Sequence, residues 1–174
     1  IDMKIKLGLI VCLLVSGVLH AQKPVTVECS VGEGVGTTIQ LFGVDKGEKK
    51  VLASASYNQN GYYGFSFIPK YEGFYVVGDG RLYEYPLYLK AGDAVSLFMD
   101  KDTVYLTGKH NTAENKVLYE WVNLSKRVCE KSTYFMRVRN STYEDFFPDF
   151  EALLAKTEPF CKSIKTKNTR FNEL

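Results

Sequence analysis

Few residues of this chain could do chemistry. Of its two histidines and four cysteines, His20 and Cys12 fall in an apolar leader, which leaves His110, Cys29, Cys129 and Cys161. A catalytic triad or zinc centre built on His110 needs partners at recognisable spacing, and no H-E-x-x-H, G-x-S-x-G or C-x-x-C occurs. Gly32-Glu33-Gly34-Val35-Gly36 begins like a phosphate-cradling turn. It lacks the last glycine of a dinucleotide fingerprint and no G-K-[ST] follows, so a flexible hairpin turn is the simpler reading. The sequence thus predicts no catalytic, cofactor-binding or metal-ligating residue.

Two other sets remain open. Tyr57 to Tyr88 is dense in aromatics, and Tyr62, Tyr63, Tyr71, Tyr75 and Tyr88 are candidate surface contacts, either stacking on sugars or forming an apolar patch for a partner. Aromatics also favour strands and fill sandwich cores, and Tyr83 and Tyr85 share a face with Leu87 and Leu89. Cys129 and Cys161 lie on the flanks of two expected antiparallel helices. There they could form a structural disulfide, worth roughly 3–4 kcal/mol in the chain-entropy model, or remain two small thiols. Cys29 reads as a core residue of the first strand.

The leader sets the compartment. Met3-Lys4-Ile5-Lys6 is basic, Leu7 to Leu19 is a charge-free run of 13 residues, and Ala21 marks a cleavage edge. This is the order of a secretory signal peptide over 1–21, with Ile1 and Asp2 preceding Met3. The run is short for a membrane span, which needs roughly 20 apolar residues. The mature chain is therefore expected to be exported to the periplasm or cell envelope, with no stable membrane span. Export also makes a disulfide permissible. Without Asp2, Lys4 and Lys6 the balance falls from 22 basic and 20 acidic residues to 20 and 19. That is no footprint for nucleic acid.

The elements that must position these residues divide into two regions. Val25, Val27, Cys29 and Val31 alternate with polar residues at the period of a half-buried strand. Turn residues then separate further strands at Thr37–Val44, Val51–Tyr57, Tyr62–Ile68, Phe74–Val77, Arg81–Leu89, Ala94–Met99 and Thr103–Thr107. Asn58 to Gly61 carries an Asn-Gly hairpin signal. Pro86 cannot donate to a ladder, which assigns its strand to an edge or a bulge. About eight short strands over 22–109 predict an antiparallel β-sandwich.

From 110 to 174 the period becomes helical. Asn111-Thr112-Ala113-Glu114 reads as a capping box opening a helix from Thr112 to about Arg137. Ser141-Thr142-Tyr143-Glu144 reads as a second box. It opens a helix whose apolar stripe runs Phe146, Phe147, Phe150, Leu153, Leu154, Phe160 and Ile164. Pro148 sits near the first turn, where proline is tolerated, and Pro159 should kink or end the helix. A short link at Arg137–Asn140 makes the pair an antiparallel hairpin. The fold class is thus α+β, a sandwich followed by a helical hairpin. Lys162, Lys165, Lys167 and Arg170 give the tail a basic, solvated face. With no Gly or Pro stop signal near Leu174, the hairpin reads as truncated at its C-terminus.

The ordered segments Gly61-Tyr62-Tyr63-Gly64-Phe65-Ser66-Phe67, Gly73-Phe74-Tyr75, Tyr88-Leu89-Lys90-Ala91-Gly92-Asp93, Leu106-Thr107-Gly108, Asn111, Glu114-Asn115, Leu118 and Trp121 carry a resemblance. Over residues 25 to 170 the chain resembles the N-terminal domain of unknown function that precedes thioredoxin-like thiol:disulfide oxidoreductases in Bacteroidota envelopes. Asp102-Thr103-Val104 also resembles the short O-glycosylation acceptor of that phylum, although a turn before the last strand explains it equally. The resemblance implies a sandwich and helical linker leading into a thioredoxin domain. The tryptophan-flanked C-x-x-C of that domain is absent, so no catalytic residue carries over.

The expectation is a non-enzymatic accessory domain that positions, dimerises or docks substrate for a missing C-terminal thioredoxin-like domain or another envelope protein. The alternative is a stand-alone envelope module binding glycan or peptide through surface tyrosines. No cofactor is expected, and a homodimer remains open.

Overall fold

A computed structural model describes residues 23–58, 61–136 and 142–173. The leader, the Arg137–Asn140 link and Leu174 lie outside the described residues. Eight strands are followed by three helices. The strands are β1 (Val25–Val31), β2 (Thr38–Asp45), β3 (Glu48–Ser56), β4 (Tyr63–Phe67), β5 (Gly73–Gly78), β6 (Glu84–Leu89), β7 (Ala94–Met99) and β8 (Val104–Leu106). The helices are α1 (Ala113–Met136), α2 (Tyr143–Ser163) and the single turn α3 (Thr169–Asn172).

The strands form two four-stranded sheets, ordered β4-β1-β7-β8 and β3-β2-β5-β6. All pairs are antiparallel except β1 with β7, where Val27 lies beside Val95 in a parallel register. Alternation builds the core, because a strand's side chains point to opposite faces with period 2. Val25, Val27 and Cys29 of β1, Ile39 and Leu41 of β2, Leu87 and Leu89 of β6, and Val95, Leu97 and Met99 of β7 are all buried. Burial also pushes the Cys29 thiol well above its ordinary pKa.

Two segments expected as hairpin turns connect strands of opposite sheets. The Gly32–Gly36 segment joins β1 in one sheet to β2 in the other. Its first glycine is required by close approach: a Cβ on Gly32 would lie 2.7 Å from the Cβ of Asp100, on the β7–β8 turn. Asn58 and Gly61 do close a turn, the Gly61 N–H donating to the Asn58 carbonyl at 3.2 Å and the Asn58 N–H to the Tyr62 carbonyl at 3.1 Å, but it joins β3 to β4 in the opposite sheet. Residues 59 and 60 of the Asn-Gly signal lie outside the described residues. The tight hairpin is instead Asp45–Glu48, where Lys46 (φ 51°) and Gly47 (φ 83°) both take positive φ, as a two-residue type I′ turn demands.

Pro86 does lie on an edge strand, β6. That edge is covered. The side chain of Asn115 from α1 accepts the Tyr88 N–H at 2.9 Å and donates to the Tyr88 carbonyl at 2.7 Å, completing the ladder as a neighbouring strand would. Residues two apart present their backbone groups to the same side. The N–H that Pro86 lacks would therefore have faced this edge. Asn111, one helical turn earlier, accepts from the Ser96 N–H at 2.9 Å and donates to the Thr107 carbonyl. The two asparagines seat α1 across the open side of the sandwich, where Tyr119 enters the core at 3% exposure.

Both helices begin one residue later than their sequence signals. Thr112 accepts the N–H of Asn115, which frees Asn111 for the sheets. At α2, the Thr142 N–H and hydroxyl both donate to Asp145. α2 also runs unbroken through Pro159 to Ser163. Ala155 and Pro159 are both exposed, so the carbonyl that loses its intrahelical donor faces water.

Candidate functional site

The five candidate tyrosines do not gather on one open surface. Tyr63, Tyr75 and Tyr88 are buried at 4%, 1% and 0% exposure, and Tyr62 is half-buried. The hydroxyl of Tyr63 donates to the Thr37 carbonyl and that of Tyr75 to the Tyr71 carbonyl. Tyr71 is more open, but its ring stacks on Tyr75 at 4.8 Å. Its hydroxyl accepts the Val44 N–H at 2.7 Å. Just past the last β2–β5 pair, Gly43 with Tyr75, this hydroxyl stands in for the missing strand. The aromatic run is therefore mainly core and strand-end scaffolding, the simpler of the two readings.

Tyr88 has the most connected role. Asn115 holds its backbone, its hydroxyl donates to Glu72 at 3.2 Å, and its ring meets Phe74 and Phe171 edge-on at 5.6 and 4.9 Å. Asn168, which caps α3 by accepting the Phe171 N–H, donates to the same Glu72 oxygen at 2.6 Å. The C-terminal turn thus folds back onto β6, close to where α1 departs. Lys90 reaches Glu114 at 3.3 Å in this region. Burial opposes the charge on Glu114, but its own backbone N–H, Lys90 and Asn168 together hold its carboxyl below the ordinary glutamate value. Asp93 moves the other way: burial raises its carboxyl despite the Lys90 N–H that donates to it.

The cysteines are kept apart by the register of the helical hairpin. Trp121 packs on Phe160 with ring centroids 5.6 Å apart, and Lys131 meets Asp149 at 2.6 Å. Cys161 is therefore level with the start of α1, about nine residues from Cys129. At 1.5 Å rise per residue that is roughly 13 Å, and a disulfide needs Cα atoms within about 7 Å. Both residues are exposed and Cys161 is a free thiol, so the Cys129–Cys161 bridge is not made.

Among the described residues no group of three or more His, Cys, Asp or Glu is disposed to hold a metal ion. His110 is exposed in the loop before α1. A cleft of about 400 Å³ lies between the Gly34–Thr38 segment and the Asp79–Tyr83 turn. Its carboxylate, Asp79, already accepts the N–H groups of Arg81, Leu82 and Tyr83 at 2.9–3.1 Å. The group shapes the turn rather than offering an acid or base.

The surface that stands out is α2. This helix of 21 residues has none buried. One side faces α1, with Phe146, Phe150, Leu153, Thr157 and Phe160 half-buried and Asp149 held by Lys131 and Arg127. A second apolar stripe faces water: Tyr143 at 65% exposure, Phe147 at 47% and Leu154 at 55%. The single stripe expected from the sequence divides into these two. The 4-3-4 spacing of 143, 147, 150 and 154 was the available signal, because it repeats every 3.5 residues beside the 146-150-153-157-160 seam.

No family model and no curated protein matches the chain. Among solved structures it is similar to the carbohydrate-binding module CBMbc, of family CBM26, from Eubacterium rectale Amy13K in complex with maltoheptaose. Identity is 17%, each chain is covered over 52%, and the TM-score is 0.37. It is also similar to a candidate cell adhesion protein of Bacteroides ovatus ATCC 8483, at 11% identity, 53% coverage of this chain and 45% of that one, and a TM-score of 0.30. A second such protein, from Bacteroides fragilis NCTC 9343, shows 16% identity, coverages of 52% and 45%, and a TM-score of 0.27. The chain spans about half the length of these structures. At such scores the likeness carries no argument about ligand or activity.

Proposed function

We propose that this chain is a non-catalytic docking module of the cell envelope, in which the sandwich is a rigid base and the α1–α2 arm is the surface that binds a protein partner. One observation carries the reading: α2 buries no residue, yet presents Phe147 and Leu154 about half exposed on its outer side. Exposed apolar surface grouped on one element marks an interaction site more often than a scatter of single residues does. The envelope location rests on the leader at 1–21, and no helix among the described residues is long and apolar enough to cross a membrane. A photo-reactive residue placed at Phe147 or Leu154 in the native host should give one discrete protein adduct. The same probe at Val51, exposed at 54% on the sandwich, should give none. Equal labelling at both sites, or none at either, would remove the proposal.

A second reading keeps the domain as the accessory part of a thioredoxin-like oxidoreductase. It is favoured by the return of the chain to the sandwich at Asn168 and Phe171. Any domain following that anchor would leave from a fixed point beside β6. Its test is the coding sequence downstream of Leu174, where the absence of a tryptophan-flanked C-x-x-C would dismiss it.

A further inference from the structure

From the charges beside the outer stripe of α2 we infer the partner's chemistry: a basic amphipathic helix laid along Tyr143, Phe147 and Leu154. The inference rests on the docking role proposed above and specifies what docks. Glu144, Glu151 and Glu158 recur at seven-residue intervals, and all three are exposed. On a helix that spacing places them in one row beside the stripe, at the flank positions that set partner choice in paired helices. The opposite flank of the stripe is the seam against α1, so this row is the free border. Lys162 pairs with Glu158 at 2.6 Å, which leaves Glu144 and Glu151 to give the row its net negative charge.

A partner helix with an apolar seam and Lys or Arg along its border would cover the aromatics and neutralise the row together. A second copy of this chain fits worse. Antiparallel pairing of α2 with itself sets this glutamate row against the same row of the other copy, and like charges facing one another are unfavourable. Parallel pairing sets the row of each copy against the other copy's α1-bearing flank, where α1 already occupies the border.

The test uses the intact chain and two synthetic amphipathic helices of equal length with the same leucine seam, one flanked by lysines and one by glutamates. Fluorescence anisotropy should show the lysine helix binding roughly ten-fold or more tightly than the glutamate helix, with the preference fading at high salt. The double variant Glu144→Lys/Glu151→Lys should reverse the order, and Leu154→Glu should abolish both. Equal affinities, or no binding by either helix while photo-adducts at Leu154 persist, would overturn the basic partner and leave the docking surface standing. Binding that survives Leu154→Glu would overturn both. A concentration-dependent dimer lost in Leu154→Glu would assign the face to a second copy instead.

Discussion

The sandwich and the arm solve the same problem to different degrees. In the sandwich the inner faces meet one another, β1 and β7 on one side, β2, β5 and β6 on the other, with α1 closing the open flank through Tyr119, while apolar residues such as Val51, Ile68 and Leu82 stay exposed singly on its outside. In the arm, α2 meets α1 along one seam and offers a second to water. The first region uses its apolar residues for stability, and the second keeps some in reserve.

Substitutions should separate the two regions sharply. The largest effect is expected at Asn115, which is fully buried and satisfies both backbone groups of Tyr88. Asn115→Ala strands a buried N–H and a buried carbonyl, and should cost about 3 kcal/mol in urea unfolding. A loss under about 1 kcal/mol would mean that water replaces the amide and that the edge is not sealed as described.

Tyr119 should respond in the opposite direction. Its hydroxyl is buried with no hydrogen-bond partner among the described residues, and burial pushes its pKa far up. Tyr119→Phe should stabilise the chain by about 1 kcal/mol, since the cost of an orphaned polar group disappears. A destabilised variant would reveal an internal partner for that hydroxyl.

An effect of similar size, but dependent on pH, is expected at Glu114. Its carboxyl sits below the ordinary glutamate value in the folded chain. The stability it contributes is present above the unfolded pKa and is lost as pH falls through the folded one. Unfolding measured from pH 7 down to pH 3 should show wild type and Glu114→Gln converging at the acid end, the variant being weaker by about 1 kcal/mol near neutrality. Parallel curves would show that the Lys90 pair contributes nothing. The smallest effect is at the arm: Leu154→Glu should shift stability by no more than about 0.5 kcal/mol. A large loss there would mean that the outer stripe belongs to the fold after all.

Much of the sandwich was legible because period 2 is a local signal. Val25 to Val31 shows it directly, and Pro86 announced an edge through the hydrogen bond it cannot make. Which sheet a strand joins was not legible. The Gly32–Gly36 and Asn58–Gly61 segments carry turn chemistry whether the chain doubles back or crosses over, and only the three-dimensional partner decides. Asn111 and Asn115 were visible as polar residues near a helix start, where capping is the ordinary expectation. Their bonds to Ser96, Thr107 and Tyr88 span sequence separations that no local pattern reveals. The tyrosines misled for a similar reason, since an aromatic that lines a core and one that lines a binding face have the same local sequence. On α2 the second seam was written in the spacing, but it overlapped the first at Phe150. The cysteines shared a hairpin without sharing a level, which depends on which residues meet across it.

The clasp at Tyr88 has a mechanical meaning. α1 leaves the sandwich at Asn115 and the chain comes back at Asn168 and Phe171, both against the same tyrosine. The arm is thus a closed excursion whose two feet stand together, and the sandwich does not register how far it reaches. Turns could be added to or removed from both helices in step, changing the reach of the outer stripe of α2 without moving a strand. A pull on the arm would reach Tyr88 from both feet, with Asn111 and Tyr119 sharing the load on the α1 side.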